Sequence, residues 1–236
     1  MADRIKNKEP ILFYFSPIKN NHFINIIDTV LVLNDKNTGV LFPEQYLAIA
    51  EKSYRIEELN NLLIDKIHYY SNTHQNTMFV LHISTKFLQK SKILSIIEKF
   101  KGREQNIIIA FDKLFISFDD EKSESIKILR DNNFKIMFDD IENCPFKTIL
   151  QTEYDYLRID SRYFIENNSN APFLIFLKDY LNKNSIILVV KNVDTTQKQL
   201  YFQESDIDFI QGKAICPPKR YFKNASLYSD TVFENE

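Results

Sequence analysis

The amino-acid sequence predicts an α/β fold, specifically a TIM-like (β/α) barrel in a single domain. Continuous apolar runs of strand length alternate with amphipathic stretches of helix length, which is typical of a parallel sheet covered by helices. About eight strands are predicted, and 236 residues with no linker and no internal repeat fit one barrel. A doubly wound open sheet would share the alternation, but the number of strands favours the closed form.

In the first half of the chain, the predicted strands are apolar runs bounded by turn residues. They are Ile11–Phe15, Phe23–Leu33, Met78–Ile83 and Ile107–Phe111. Asn34–Gly39 has the composition of a turn, and Pro43 suits the first turn of a helix that continues to Lys52. Apolar residues recur at helical spacing in Ile56–Tyr70, and a further helix is predicted from about Lys86 to Phe100.

The second half of the chain repeats the alternation. Helices are predicted at Ser123–Asn132, Phe173–Asn182 and Thr195–Ser205, and strands at Lys135–Asp139, Tyr156–Ile159, Ile186–Val190 and Phe209–Ile210. We therefore predict an N-terminal lead-in of residues 1–10, a barrel of residues 11–221 and a C-terminal tail of residues 222–236.

The composition argues against several classes of function. The formal net charge of −2, with Lys and Arg scattered among Asp and Glu, argues against direct binding of nucleic acid. No apolar run reaches the length of a membrane span, so we expect a cytoplasmic protein with no membrane contact. Only three glycines occur, although phosphate-binding loops usually use glycine for close backbone approach.

Two neighbouring segments carry the candidate site. Ile136–Asp140 (IMFDD) is an apolar run that ends in two carboxylates, and Asp155–Asp160 (DYLRID) follows it. A buried parallel strand of this kind delivers its acids to the mouth of a barrel, where barrel enzymes have their active sites. Asp139 and Asp140 are therefore candidate active-site residues.

These segments resemble those of EAL domains, the cyclic-di-GMP phosphodiesterase family. Asp139-Asp140, DYLRID and Asp208–Gly212 (DFIQG) correspond in order to the family's DDFG, DYLKID and DYVQG. Four weaker matches extend the similarity over about Ile11 to Pro218, namely Phe15–Ile18 (FSPI), Leu41–Ala50 (LFPEQYLAIA), Leu81–Ser84 (LHIS) and Ile187–Asp194 (ILVVKNVD). The resemblance implies a barrel whose mouth performs metal-dependent phosphodiester hydrolysis through carboxylates and an Asn.

Compared with that family pattern, most of the ligand positions are changed. Asp28 stands in place of the Glu of the name motif and is one methylene shorter, His82 stands in place of the Asn, and Lys191 in place of a Glu. Arg158 replaces the catalytic Lys, whereas Gln211 is retained. Asp139 and Asp140 also keep the family's identity, and the resemblance makes them the weak candidates for metal ligands.

Two further positions also depart from the pattern. The next metal-binding Glu should follow Ile107–Phe111, where the chain has only Asp112-Lys113, and Ile141–Cys144 replaces a glycine-rich loop. A site that has lost hard oxygen ligands and gained cations would neutralise itself by ion pairing instead of collecting Mg²⁺.

The sequence therefore predicts a degenerate, inactive EAL-like barrel with no catalytic residue, no metal and no cofactor. Its remnant site would comprise Asp28, His82, Asp139, Asp140, Arg158, Lys191 and Gln211. A purely structural interpretation of Asp139 and Asp140 is that they form ion pairs with Arg158 and Lys191. A histidine on an apolar strand, such as His82, is more often a hydrogen-bonded core residue than a metal ligand.

The leading functional hypothesis is regulation through a protein partner, for example a transcription regulator in motility, adhesion or virulence gene control. On this hypothesis the chain is not expected to bind cyclic-di-GMP. The alternatives are a cyclic-di-GMP receptor that does not hydrolyse its ligand and a phosphodiesterase with residual activity.

Overall fold

A computed structural model shows a closed sheet whose strands follow one another around a barrel. It describes residues 11–19, 26–35, 39–53, 55–84, 87–112, 120–139, 153–165, 171–207 and 209–220. Within these residues the strands are β1 (Ile11–Ile18), β2 (Ile26–Asp35), β3 (Gly39–Leu41), β4 (Met78–Ile83), β5 (Ile107–Asp112), β6 (Lys135–Asp139), β7 (Tyr156–Asp160), β8 (Ile187–Lys191) and β9 (Phe209–Ile210).

Helices cover the outside of this sheet. In the described part of the chain they are α1 (Pro43–Lys52), α2 (Ile56–Thr73), α3 (Lys90–Lys99), α4 (Asp120–Asp131), α5 (Arg162–Ile165), α6 (Ala171–Lys183) and α7 (Thr196–Glu204). None of the described helices is both long enough and apolar enough to cross a membrane.

The strand order is β1-β2-β4-β5-β6-β7-β8-β9, and β3 pairs with the C-terminal end of β2. Every neighbouring pair from β2–β4 to β8–β9 is parallel. Two backbone hydrogen bonds between Lys19 and Ile210, of 2.9 and 3.0 Å, join the end of β1 to β9. The ends of the sheet therefore meet, and the predicted α/β barrel is the observed fold.

The sheet is not parallel throughout. β1 and β3 both run antiparallel to β2. The connection from β1 to β2 is only residues 19–25, too short for the crossover that parallel neighbours need. Helix α3 also begins at Lys90 instead of near Lys86. The lead-in of residues 1–10 and the tail of residues 222–236 lie outside the described residues.

The apolar side chains form two cores, because successive residues of a strand face opposite sides of the sheet. The larger core lies between the sheet and the helices. The smaller core fills the barrel interior and contains Ile18, Ile26, Val80, Ile108, Ala110, Met137, Tyr156, Val189 and Phe209. On β2, β4 and β6 to β9, the residue two positions after the core residue faces the same interior, nearer the C-terminal mouth.

Gly212 lies two residues after the last strand, in a position that a side chain could not occupy. Its φ is +155°, and a Cβ atom there would overlap the backbone N, C and O atoms of Val193. The backbone N–H of Val193 donates to the carbonyl oxygen of Gln211 at 2.9 Å, so this close approach fixes the segment after β9 against the segment after β8.

We expect Gly212→Ala to lower the free energy of unfolding by more than about 2 kcal/mol, because backbone atoms must move to admit the new methyl group. Urea denaturation would measure the change. Gly39→Ala is the matched control: Gly39 also has positive φ, +76°, but open space around it, and we expect a loss of about 1 kcal/mol. Equal losses in the two variants would contradict the close approach.

Candidate functional site

Six polar side chains lie on top of the inner core at the C-terminal mouth of the barrel. Each is two residues beyond a residue of that core: Asp28 after Ile26, His82 after Val80, Asp139 after Met137, Arg158 after Tyr156, Lys191 after Val189 and Gln211 after Phe209. The two-residue period of the strands thus turns all six towards one point. The structure brings together every described residue of the predicted remnant site.

Arg158 is the centre of this group. Its guanidinium donates through Nη1 to Asp28 Oδ2 at 2.7 Å and through Nη2 to Asp139 Oδ2. Asp28, Asp139 and Arg158 are 4%, 2% and 3% exposed, respectively. The planar guanidinium can donate to two acceptors at once, so a single side chain pairs with carboxylates from two separate strands, β2 and β6.

Lys191 supplies the second positive charge. Its Nζ donates to Asp139 Oδ1 at 2.9 Å, and its side chain is 17% exposed. Asp139 therefore has one oxygen on Arg158 and the other on Lys191. These contacts agree with the ion-pairing interpretation of Asp139.

His82 and Gln211 complete the surroundings of Asp28. His82 Nε2 lies 2.6 Å from Asp28 Oδ1, and Gln211 donates through Nε2 to Asp28 Oδ2 at 2.8 Å. An ionised carboxylate only accepts hydrogen bonds, so we assign the proton of His82 to Nε2. Gln211 Oε1 in turn accepts from Arg158 Nη1 at 3.2 Å. His82 is thus a hydrogen-bonded residue of the barrel wall.

The network holds both carboxyl groups in the ionised form. Burial alone would raise the pKa of Asp28, but the Arg158 guanidinium and the His82 imidazole outweigh it and hold that pKa far below its ordinary value. Burial likewise opposes ionisation of Asp139, and the charges of Arg158 and Lys191 outweigh it, so its pKa is also lowered.

A second polar group lies beside the first, at the ends of β7 and β8. Arg162 donates to both carboxylate oxygens of Asp160, and Asn192 donates to Asp160 Oδ2 at 2.7 Å. The hydroxyl of Ser161 donates to the carbonyl oxygen of Asn192, and Lys198 Nζ lies 3.1 Å from that hydroxyl. The sequence analysis did not identify this group, although the Asp-x-Arg spacing at a strand end is a signal for it.

Several predicted positions lie outside the described residues. They are Asp140, Lys113 and the segment Ile141–Cys144. The backbone of Asp112 pairs with Asp139 at the end of β5, but its side chain is likewise not described.

The described residues do not fit a divalent metal centre. All four carboxylate oxygens of Asp28 and Asp139 already accept hydrogen bonds from Arg158, Lys191, His82 or Gln211. A dication at this point would face two cations at close range, and that repulsion is unfavourable. In the described ranges no three His, Cys, Asp or Glu side chains form a group that could hold a metal ion.

Comparison with known proteins identifies the family. The EAL domain model matches residues 2–218. The chain belongs to the EAL domain family. It is 23% identical over 234 residues to the "Probable cyclic di-GMP phosphodiesterase PdeG" of Escherichia coli (strain K12), a match that covers 92% of this chain and 46% of that protein. The chain thus spans about half the length of this curated relative.

Solved EAL domains have the same fold. The Bacillus subtilis YkuI protein, with an EAL domain, in complex with substrate c-di-GMP and calcium, has a TM-score of 0.80 at 14% identity, covering 94% of this chain and 59% of that one. The Xanthomonas citri FimX EAL domain in complex with c-di-GMP has a TM-score of 0.78 at 14% identity, covering 93% and 91%.

These complexes overturn one prediction made from the sequence. The expectation that cyclic-di-GMP is not a ligand was wrong, because the structural neighbours of this EAL domain hold that nucleotide. That expectation followed from the hypothesis of a protein partner and from the changed residues at the mouth. Charged hydrogen-bond donors can bind a phosphodiester without a metal, however, so changed metal ligands do not by themselves imply a lost nucleotide.

We expect the stability of the EAL domain to fall steeply in acid. Because the pKa values of Asp28 and Asp139 are lower in the folded state than in the unfolded state, their contribution is present above the unfolded value of about 3.9 and is lost as the pH falls below it. Urea midpoints between about pH 6 and about pH 3 measure this loss.

Asp139→Asn should be less stable by about 3 kcal/mol at pH 6, since its amide cannot neutralise Arg158 and Lys191, and it should lose less on acidification. The difference should persist in high salt, because a buried pair is poorly screened. Parallel pH profiles for the two proteins would show that Asp139 has no lowered pKa.

Proposed function

We propose that this EAL domain is a catalytically inactive receptor that binds cyclic-di-GMP at the barrel mouth without hydrolysing it. One observation carries the proposal: Arg158 and Lys191 hold Asp28 and Asp139 in ion pairs at the place where a hydrolytic site needs open carboxylates. Without a metal to activate water, the mouth lacks the nucleophile for phosphodiester cleavage.

The proposal of a nucleotide ligand is supported by the fold and by charge. EAL domains with the same barrel hold cyclic-di-GMP in their solved complexes. The mouth of this chain presents Lys191, whose side chain is 17% exposed and whose ammonium group can donate to an anion. A phosphodiester is an anion with acceptor oxygens only, so donors of this kind suit it.

Calorimetric titration with cyclic-di-GMP tests the proposal. We expect micromolar binding and no linear product after prolonged incubation with Mg²⁺ or Mn²⁺. Lys191→Met should weaken binding about tenfold by removing a charged donor. Lys183→Met is the matched control, because Lys183 lies on an exposed helix end paired with Asp179. Hydrolysis above that of an Asp139→Asn control would refute inactivity, and no binding would refute the receptor.

A second candidate is regulation through direct contact with another protein, such as a transcription regulator. Helix α6 supports this candidate, since Ile175 is 70% exposed and the adjacent Phe176 is also exposed. Large apolar side chains at a surface are typical anchors of protein interfaces.

If α6 is such an interface, Ile175→Asp should abolish co-purification of any stoichiometric partner of the wild-type chain. Leu94→Asp is the control, because Leu94 is a similarly exposed apolar residue on α3. Retention of the partner by Ile175→Asp would exclude this surface.

A further inference from the structure

We infer that Arg158 and Lys191 are built-in counter-ions that stand where an EAL-type barrel would hold divalent ions, so that the folded chain needs no metal and gains no stability from one. This inference concerns the charge balance of the barrel mouth. It does not depend on whether cyclic-di-GMP binds.

The position of the guanidinium is the first argument. Arg158 reaches one oxygen of Asp28 and one oxygen of Asp139, and so bridges β2 and β6 across the barrel interior. A divalent cation shared by two carboxylates would occupy the same intervening space. Because Arg158 fills it, the native chain has no room for such an ion between these two acids.

Charge balance is the second argument. Among the described acids and the Arg and Lys side chains that pair with them, the two buried carboxylates balance the two cations Arg158 and Lys191. A dication added to these four groups would create an uncompensated buried charge, which is strongly unfavourable. If the guanidinium were absent, the remaining three groups would carry a net negative charge and there would be space for an ion.

The donors that would then remain suit a hard cation. Removal of the guanidinium would take away its hydrogen bonds to Asp28 Oδ2, Asp139 Oδ2 and Gln211 Oε1, and Asp28 Oδ2 would keep only the bond from Gln211 Nε2 among those described. Carboxylate and amide oxygens are the preferred ligands of Ca²⁺, Mg²⁺ and Mn²⁺. The site is therefore a latent cation site, closed by one side chain.

Thermal unfolding of the wild-type chain gives the first test. After dialysis against EDTA, we expect the same Tm as before dialysis and no rise on addition of about 5 mM MnCl₂ or CaCl₂ at constant ionic strength. A rise of several degrees that saturates with metal concentration would overturn the inference, because the native mouth would then accept a divalent ion.

The variant Arg158→Met gives the second test. Met is shorter than Arg and has no charge or donors, so the space of the guanidinium is vacated and the folded state should be destabilised in EDTA. Mn²⁺ at about ten times its Kd should raise the Tm by about 3–6 °C relative to EDTA. A folded Arg158→Met protein that does not respond to Mn²⁺ or Ca²⁺ would overturn the inference.

Two further variants serve as controls. Lys191→Glu removes the second cation but retains Arg158, which still fills the space between Asp28 and Asp139, so this variant should not respond to Mn²⁺. Arg162→Met should not respond either, because Arg162 pairs with the single carboxylate of Asp160. A rise in Tm in either control equal to that of Arg158→Met would overturn the inference. If Arg158→Met does not fold, the wild-type titration still decides whether the native mouth accepts a divalent ion.

Discussion

The ion pairs of Arg158 with Asp28 and Asp139 are the interaction on which the barrel mouth depends. They join β7 to β2 and β6 across the interior, in surroundings where all three side chains are almost fully buried. Removing one partner of a buried ion pair typically costs about 3–5 kcal/mol, because the other charge is left uncompensated. Lys191 and Gln211 add hydrogen bonds around this centre. Lys191 donates to Asp139 Oδ1, whereas Arg158 donates to Asp139 Oδ2, and Gln211 donates to Asp28 Oδ2, which Arg158 also contacts.

The same interaction separates the fold of an EAL domain from its chemistry. A barrel places whatever its strands carry at the C-terminal mouth, and the reaction depends on those side chains and not on the fold itself. Here the described strand ends carry carboxylates that are hydrogen-bonded and ion-paired. The fold is shared with EAL domains that hold cyclic-di-GMP.

Much of this arrangement could be predicted because it is local in sequence. The apolar runs ending at Asp139 and Lys191 marked both the strands and the residues at their C-terminal ends. The antiparallel pairing of β1 with β2 could not be predicted in the same way, because the composition of an apolar strand does not depend on its direction in the sheet. The Asp160–Arg162 pair was not predicted, because it depends on the backbone turn after β7, which brings the two residues together.

The sequence by itself determined the barrel, the family and the identity of the residues at the mouth, because strand periodicity and motif order are properties of the chain alone. Only the tertiary structure decided how those residues pair. Asp28 lies 130 residues before Arg158 in the sequence, and their contact exists only once the sheet closes, whereas Asp139 and Arg158 lie on the paired strands β6 and β7. The ionised, paired state of the two acids follows from that closure, since burial and nearby charge, and not residue type, set the pKa of each.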